Sequence, residues 1–388
     1  MLRKIKENPI REKNRSLALE YIINEGNISR AQIASKIQIN KASVSEIVKN
    51  LIDYHIVEEV GIGDSSLQGG RKPVLLQLKK EACVYLSIDL GYNYIKMLLT
   101  YANGELIKSR TYWDMEIDRH DIMEVLKDHI KEILQDLPKT YFDLAAITLG
   151  IHGAVLEDRI EFTPYYDLVH LPIKECLEEE FHTAVYYENE ANLSAIANHA
   201  LKKEYHNLIS ISIHSGVGSG IITEDHLYRG NSGFSGEIGH MTMFPGGKEC
   251  PCGNYGCLEK YCSQKAIEED FQEHFQKRMT LSDIRRLYDE KNPYAIQKIK
   301  EVASCLAVGV NNLSVAFDPQ IIYFNCDLVC TFPEILPAIR SSLTSFLSKK
   351  RSIEISPIAD RSILIGGILL AMKNSLLVEN IQLEHLKF

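Results

Sequence analysis

At 388 residues the chain is longer than one ordinary core and points to two or three domains, and 45% hydrophobic with 24% charged residues excludes a disordered or fibrous protein. No apolar run reaches the ~20 residues that a membrane span requires, and the first 15 residues are charged throughout without the apolar core of a signal peptide, so a cytoplasmic protein with no membrane partner is expected. The net charge of −9 is uneven: residues 1–80 hold 14 Lys and Arg against 9 Asp and Glu, and the remainder holds 29 against 43, the pattern of a nucleic-acid reader on an acidic body.

In chain order, residues 15–24 carry Leu19, Ile22 and Ile23 at helical spacing, and Gly26 stops that helix. Ser29 and Gln32 form the S-x-x-Q pattern of a capping box and open a short helix, residues 30–36. Ile39 and Asn40 make a turn, and a second helix starts near Lys41. Val44, Ile47, Val48, Leu51 and Ile52 give it one buried stripe. Its other side presents Lys41, Ala42, Ser43, Ser45 and Lys49, small, hydroxylated or basic groups that enter a major groove without steric conflict. Two short helices joined by a tight turn read as a helix-turn-helix.

A strand at residues 57–60, a loop at 61–70 and a return strand at 73–78 then read as a wing. At its tip, Gly70 lets the backbone approach a groove closely, and Arg71 is drawn to the negative potential of a narrow minor groove. The expected DNA contacts are Ser29, Arg30, Lys41, Ala42, Ser43, Ser45, Lys49, Gly70 and Arg71, and the expected partner is a double-stranded operator.

Beyond residue 80 the pattern becomes α/β. Residues 84–91 form a buried strand ending in Asp89 and Gly91, and residues 94–101 form the next strand. A helix at 121–137 and buried strands at 145–150 and 208–213 follow. An opening hairpin ending in Asp-x-Gly, with Gly-rich turns further on, suggests the two-lobed architecture of sugar kinases and actin. Cys250, Cys252 and Cys257 fall within eight residues, a spacing that points to metal and not to redox pairing in a cytoplasmic chain.

The body resembles the ROK family of repressors and sugar kinases and, with its N-terminal module, looks most like the xylose-repressor subgroup. Four stretches carry the resemblance: Ser29-Arg30 through Gly70-Arg71; Asn189-Glu190 with its neighbours; Tyr228-Arg229-Gly230 through Glu237 and His240; and Cys250-x-Cys252-x4-Cys257 followed by Glu259. The resemblance implies a winged helix-turn-helix over residues 1–80, joined to an actin-like, ribonuclease H-like sugar-kinase fold. Its smaller lobe would comprise 81–193 with 362–388, and its larger lobe 194–361 with the zinc loop and a dimerisation surface.

His240, Cys250, Cys252 and Cys257 make a Cys3His set suited to structural zinc, and the resemblance assigns zinc to the same four positions. It likewise implies sugar contacts at Asn189, Glu190, Glu237, His240 and Glu259, where carboxylates accept paired hydrogen bonds from vicinal hydroxyls. The imidazole of His240 would serve zinc through one nitrogen and sugar through the other.

Departures from the kinase pattern argue against catalysis and against bound ATP. Glu190 stands at the base position, where the kinases carry Asp. The first phosphate loop reads Asp89-Leu-Gly91-Tyr92-Asn93, without the second glycine and the hydroxyl. The second, residues 215–220, keeps three glycines, whereas the adenosine-side strand ends Tyr323-Phe324-Asn325 in place of a glycine pair. His152 replaces a proline, and Tyr165 and Tyr166 occupy the sugar-closing loop, where they either stack on a sugar or fill the pocket. The expected function is repression by a homodimer or higher oligomer responsive to a sugar, xylose first. The rival is a regulator that works through a protein partner; a ROK sugar kinase ranks behind both.

Overall fold

The computed structural model describes residues 8–63, 72–113, 115, 121–164, 166–202 and 204–388. Gly70 and Arg71, expected at a wing tip, and Tyr165, expected in a sugar-closing loop, lie outside the described residues. Helix α1 (Pro9–Glu25) begins six residues before the periodicity suggests, because the Asn8 side chain accepts the Ile10 and Arg11 N–H groups and Pro9 fits the first turn. Strand β1 (Ile28–Ser29) leads into α2 (Arg30–Ile37), which has the full Ser29/Gln32 capping box. The Asn40 side chain caps α3 (Lys41–Asp53) by accepting from Ser43 N.

Strands β2 (Val57–Ile62) and β3 (Val74–Leu78) complete a small sheet ordered β1-β3-β2, with a bulge between Glu59 and Gly61. Ala18, Leu19, Ile22, Ile33, Val44, Val48, Leu51 and Leu76 bury this module's own core.

The next sheet runs β10-β7-β4-β5-β6. It is built from β4 (Val84–Leu90), β5 (Tyr94–Tyr101), β6 (Leu106–Trp113), β7 (Leu144–Ile151) and β10 (Ala184–Asn189), with α4 (Ile122–Ile133) and α5 (Ile173–Phe181) between them and a β8–β9 hairpin (Ala154–Leu156, Arg159–Phe162). The β4/β5 pair is antiparallel with Val84 opposite Tyr101.

After α6 (Glu190–Leu201), a second five-stranded sheet runs β13-β12-β11-β14-β15. Its strands are β11 (Leu208–Ile213), β12 (Val217–Thr223), β13 (His226–Leu227), β14 (Ile321–Asn325) and β15 (Ser352–Ile355). It also opens with an antiparallel hairpin, β11/β12, and continues with parallel pairs β11/β14 and β14/β15. Helices α7 (Glu259–Cys262), α8 (Gln264–Phe275), α9 (Leu281–Asp289), α10 (Pro293–Phe317), α11 (Asp327–Thr331) and α12 (Ile335–Ser342) follow, and α13 (Ser362–Leu376) ends the helical series. Phe271, Phe324 and Phe332 are fully buried in the larger apolar cluster; burial of each contributes about 1.5–3 kcal/mol.

The chain packs into two units. One comprises the chain up to Gly150 with His170–Glu188 and Gly367–Phe388; the other comprises Ile151–Val169 and Asn189–Gly366. No described helix is long and apolar enough to cross a membrane.

Candidate functional site

Helix α6 positions the first site residues. Asn189 ends β10 and caps α6: its side-chain oxygen accepts Asn192 N at 3.0 Å, and its amide donates to the Gly153 carbonyl at 2.8 Å. With both ends engaged the amide has one orientation, and Glu190 follows as the first helical residue, buried. Glu237 precedes the tight turn Ile238–His240. That turn is anchored on β12, because the Gly236 carbonyl accepts both Ser219 N at 2.8 Å and Ser219 Oγ at 3.0 Å. Glu259 opens α7 and is buried.

These four residues and His240 line one cavity of about 40 Å³, together with His152, Gly153, Phe162, Pro164, His214 and residues 215–218. All five residues expected to meet the sugar are thus brought together. Burial pushes the Glu237 carboxyl up to about 8, helped by the negative charges of Glu190 and Glu259.

His214 was not anticipated. It stands edge-on to His152, with ring centroids 5.2 Å apart, and its signal in the sequence was its place directly before the second glycine loop. Among the described residues of the sugar-closing loop, Phe162 and Pro164 line the cavity and Tyr166 does not.

Beside the cavity, one ligand atom each from His240, Cys250, Cys252 and Cys257 lies within 4.8 Å of every other, a four-ligand cluster that could hold a metal ion. His240 Nδ1 is 3.5 Å from Cys250 Sγ, and Cys252 Sγ is 3.7 Å from Cys257 Sγ. The Cys250 thiol also donates to Glu259 Oε1 at 3.2 Å, so the cluster and the cavity share a wall. Local turns shape this loop: Cys250 N donates to Asn254 O, and Gly253 adopts φ +87°. Burial raises the Cys250 and Cys257 thiols, and a bound cation would reverse that by favouring the thiolate.

The segments compared above with the kinases' nucleotide elements make contacts of their own. Gly91 turns tightly, its N–H donating to Tyr94 O at 3.0 Å, and Tyr92 beside it is 39% exposed. Asn325, where a glycine pair would admit adenosine, donates to Ser210 Oγ at 2.6 Å and accepts from Asn198 Nδ2 at 3.0 Å. Ser356 Oγ donates to Asn198 Oδ1 at 2.5 Å and completes a buried polar network.

In the winged module, Lys41, Ala42, Ser45 and Lys49 are exposed on α3, and Ser43 is half-buried. The Ser29 hydroxyl is buried in its capping box, and the Arg30 guanidinium meets Glu59 at 2.8 Å.

A family model described as "ROK family" matches residues 85–373. The chain is 31% identical to the xylose repressor of Staphylococcus xylosus over 384 residues, covering 98% of this chain and 100% of that protein. Among solved structures, a ROK family transcriptional regulator, homolog of the E. coli MLC protein, superposes with a TM-score of 0.77 at 24% identity, over 95% of this chain and 98% of its own. A ROK family glucokinase from Streptomyces griseus, in complex with glucose and AMPPNP, superposes with a TM-score of 0.66 at 20% identity, over 75% of this chain and 99% of its own. The fold is therefore that of ROK regulators and ROK sugar kinases, with a winged helix-turn-helix in front.

Proposed function

The chain belongs to the ROK family, and on that premise we propose that it is a DNA-binding transcription repressor whose body senses a sugar, with xylose the leading effector. One observation carries the reading. A winged module with a basic, small-residue helix face shares a chain with a cavity where Asn189, Glu190, Glu237, His240 and Glu259 converge. Carboxylates flanking a capped asparagine suit vicinal hydroxyls, because they accept two hydrogen bonds in fixed geometry.

On DNA, Lys41, Ala42, Ser43, Ser45 and Lys49 face the major groove, while Gly70 and Arg71 serve the minor groove from the wing. Ser29 and Arg30 act at the helix pair's edge: the first caps α2 and the second, paired with Glu59, ties α2 to the wing strand. A homodimer would set two such heads on a palindromic operator. Val308 and Val315, 42% and 52% exposed on one side of α10, support a self-associating face. Effector binding alters operator affinity only if the sugar binds the two conformations unequally. Such a repressor works in the cytoplasm, where its operator is.

The metal we assign is zinc in a structural role. Tetrahedral zinc with Zn–S of about 2.3 Å and Zn–N of about 2.0–2.1 Å requires S···S edges of ~3.7 Å and N···S edges of ~3.5 Å; the Cys252–Cys257 and His240–Cys250 edges have these lengths, and every edge of the cluster lies within 4.8 Å. Four protein ligands leave no open position for substrate, so zinc would hold Glu259 and His240 in place. We assign no catalysis and no ATP: Tyr92 and the Asn325 network stand where nucleotide elements would be, and the S. xylosus relative is named a repressor.

The test is a mobility shift on DNA upstream of the protein's own and neighbouring genes, with and without xylose and glucose. Operator affinity unchanged across aldoses at millimolar concentration would defeat the sensing half. A second reading, regulation through a protein partner, is favoured by Phe346 and Leu347, 75% and 54% exposed beside Lys349 and Lys350. A stable co-purifying partner with no sequence-selective DNA binding would support it.

A further inference from the structure

Three attachments join the winged module to the sheet that follows it, and each uses a different part of the module. The first is the chain itself, since only residues 79–83 separate β3 from β4. That link is pinned at both ends. Lys79 N donates to Ile56 O, while the carbonyls of Lys80, Glu81 and Ala82 accept from Ala102, Tyr141 and Phe142. The second attachment follows α3, where the His55 ring stacks on Tyr141 with centroids 3.4 Å apart.

The third is the C-terminal segment, residues 377–388, which lies with the winged module and β4–β6 in one compact unit. Near its start, main-chain groups of Glu379, Asn380 and Gln382 bond to the side chains of Glu20 and Asn24 on α1. Buried Val378 and Ile381 seat the same stretch. The His385 ring then lies against Gly26, where an added Cβ would stand 2.9 Å from its Cγ. At the far end Lys387 N donates to Asn103 O at 3.0 Å, Lys387 Nζ stands 3.7 Å from Glu105, and the Phe388 ring lies against Gly104. The segment is therefore a strap from the first helix of the module to the β5–β6 turn.

A module on a linker alone swivels, and added contacts remove that freedom. Leu19, Ile33, Val44, Val48, Leu51 and Leu76 give the module a core of its own, so what the strap adds is placement. Placement matters on DNA, because two heads with fixed orientations accept one half-site spacing, whereas swivelling heads accept several at lower affinity.

We propose that residues 377–388 fix the orientation of the winged module, and that Glu20 and Asn24 are positioning residues that determine which operator half-site spacing the dimer reads. This rests on the DNA-binding homodimer proposed above and names a determinant of its specificity outside the residues assigned to DNA.

The test uses the full-length, zinc-loaded protein and the palindrome it protects upstream of its own gene, with three duplexes compared by fluorescence anisotropy. These are the palindrome, the same palindrome with two base pairs inserted at its dyad, and a single half-site. The insertion turns one half-site by about 70°, and the wild type should lose affinity on the order of 100-fold. In Glu20→Ala/Asn24→Ala the same insertion should cost less than about tenfold, with half-site affinity unchanged. Glu20→Gln keeps an acceptor oxygen and should retain the wild-type penalty. An insertion that the wild type tolerates, or a penalty of equal size in the double variant, would overturn the inference. So would a Glu20→Gln protein that loses selectivity as fully as the double variant. Loss of half-site binding in the double variant would also overturn it, since the strap would then serve the module's folding. A wild type that protects no DNA would instead overturn the DNA-binding reading beneath it.

Discussion

Glu20, in the first helix, accepts the main-chain N–H of Glu379 at 2.5 Å, and the same oxygen accepts Asn380 N at 3.3 Å. Asn24, one turn on, donates to the Asn380 carbonyl and accepts Gln382 N, both at 2.8 Å. The C-terminal segment thereby satisfies its backbone groups on the side chains of the winged module's first helix.

Removing that acceptor should be costly. Glu20→Ala leaves two half-buried N–H groups unmatched, and a loss of about 1–3 kcal/mol is expected by urea denaturation. Glu20→Gln keeps an oxygen acceptor and should behave differently with pH. Burial raises the Glu20 pKa above 4.5 in spite of the two N–H groups. The folded state then holds the proton more tightly than the unfolded state, so this group's stabilisation is full below pH 4.5 and is lost as pH rises through the folded value. The stability of Glu20→Gln relative to wild type should therefore improve from pH 4 to pH 7; a constant difference across that range would refute the assignment.

Metal content should follow the four-ligand cluster. One zinc per chain is expected by elemental analysis, falling to below half in Cys257→Ser. Structural zinc sites bind with on the order of 10 kcal/mol, so chelation should lower the melting temperature and abolish sugar binding together, through Glu259. A chelated protein that melts and binds sugar as before would remove zinc from the site's architecture.

On the operator, Lys49→Ala should weaken binding about equally across sequences and reduce the slope of log affinity against log salt by about 1, as loss of one phosphate contact does. Arg71→Ala should weaken operator binding if the wing reads the minor groove. Fluorescence anisotropy at several salt concentrations reads both, and a salt slope unchanged in Lys49→Ala would place that residue away from DNA.

Asn198→Ala should destabilise more than an average buried substitution. Asn198 Oδ1 accepts from Ser356, and its Nδ2 donates to both Ser210 and Asn325, so the change removes three hydrogen bonds and strands the Ser356 hydroxyl and Asn325 Oδ1, while Ser210 Oγ keeps its bond from Asn325. Each stranded group costs about 1–3 kcal/mol, less any relaxation. The network also predicts that the wild type releases no ADP from ATP with any aldose; sugar-dependent ADP release would restore the kinase reading.

Much of the candidate site was readable in one dimension. Asn189 and Glu190 are adjacent, and Cys250, Cys252, Cys257 and Glu259 occupy ten residues. Such groups are brought together by local backbone turns, as the Cys250–Asn254 hydrogen bond and the positive φ of Gly253 do here. His214 escaped notice because one histidine beside a glycine loop is as often packed as functional, and its pairing with His152 crosses 62 residues.

The winged module was legible for the same local reason. Ser29 with Gln32, and Asn40 with Ser43, satisfy helix N-terminal N–H groups within three residues, so capping is written in the sequence where it acts. By itself, then, the sequence determined the two capped helices, both strands of the first five-stranded sheet's opening hairpin, one strand of the second hairpin and the His240, Cys250, Cys252 and Cys257 cluster. Residues 217–220, expected as part of a glycine loop, lie in strand β12 instead. Only the tertiary structure decided what those parts face: Glu20 against Glu379, Arg30 against Glu59, and His55 against Tyr141. Those partners are up to 359 residues apart, and packing, not neighbouring chemistry, selects them.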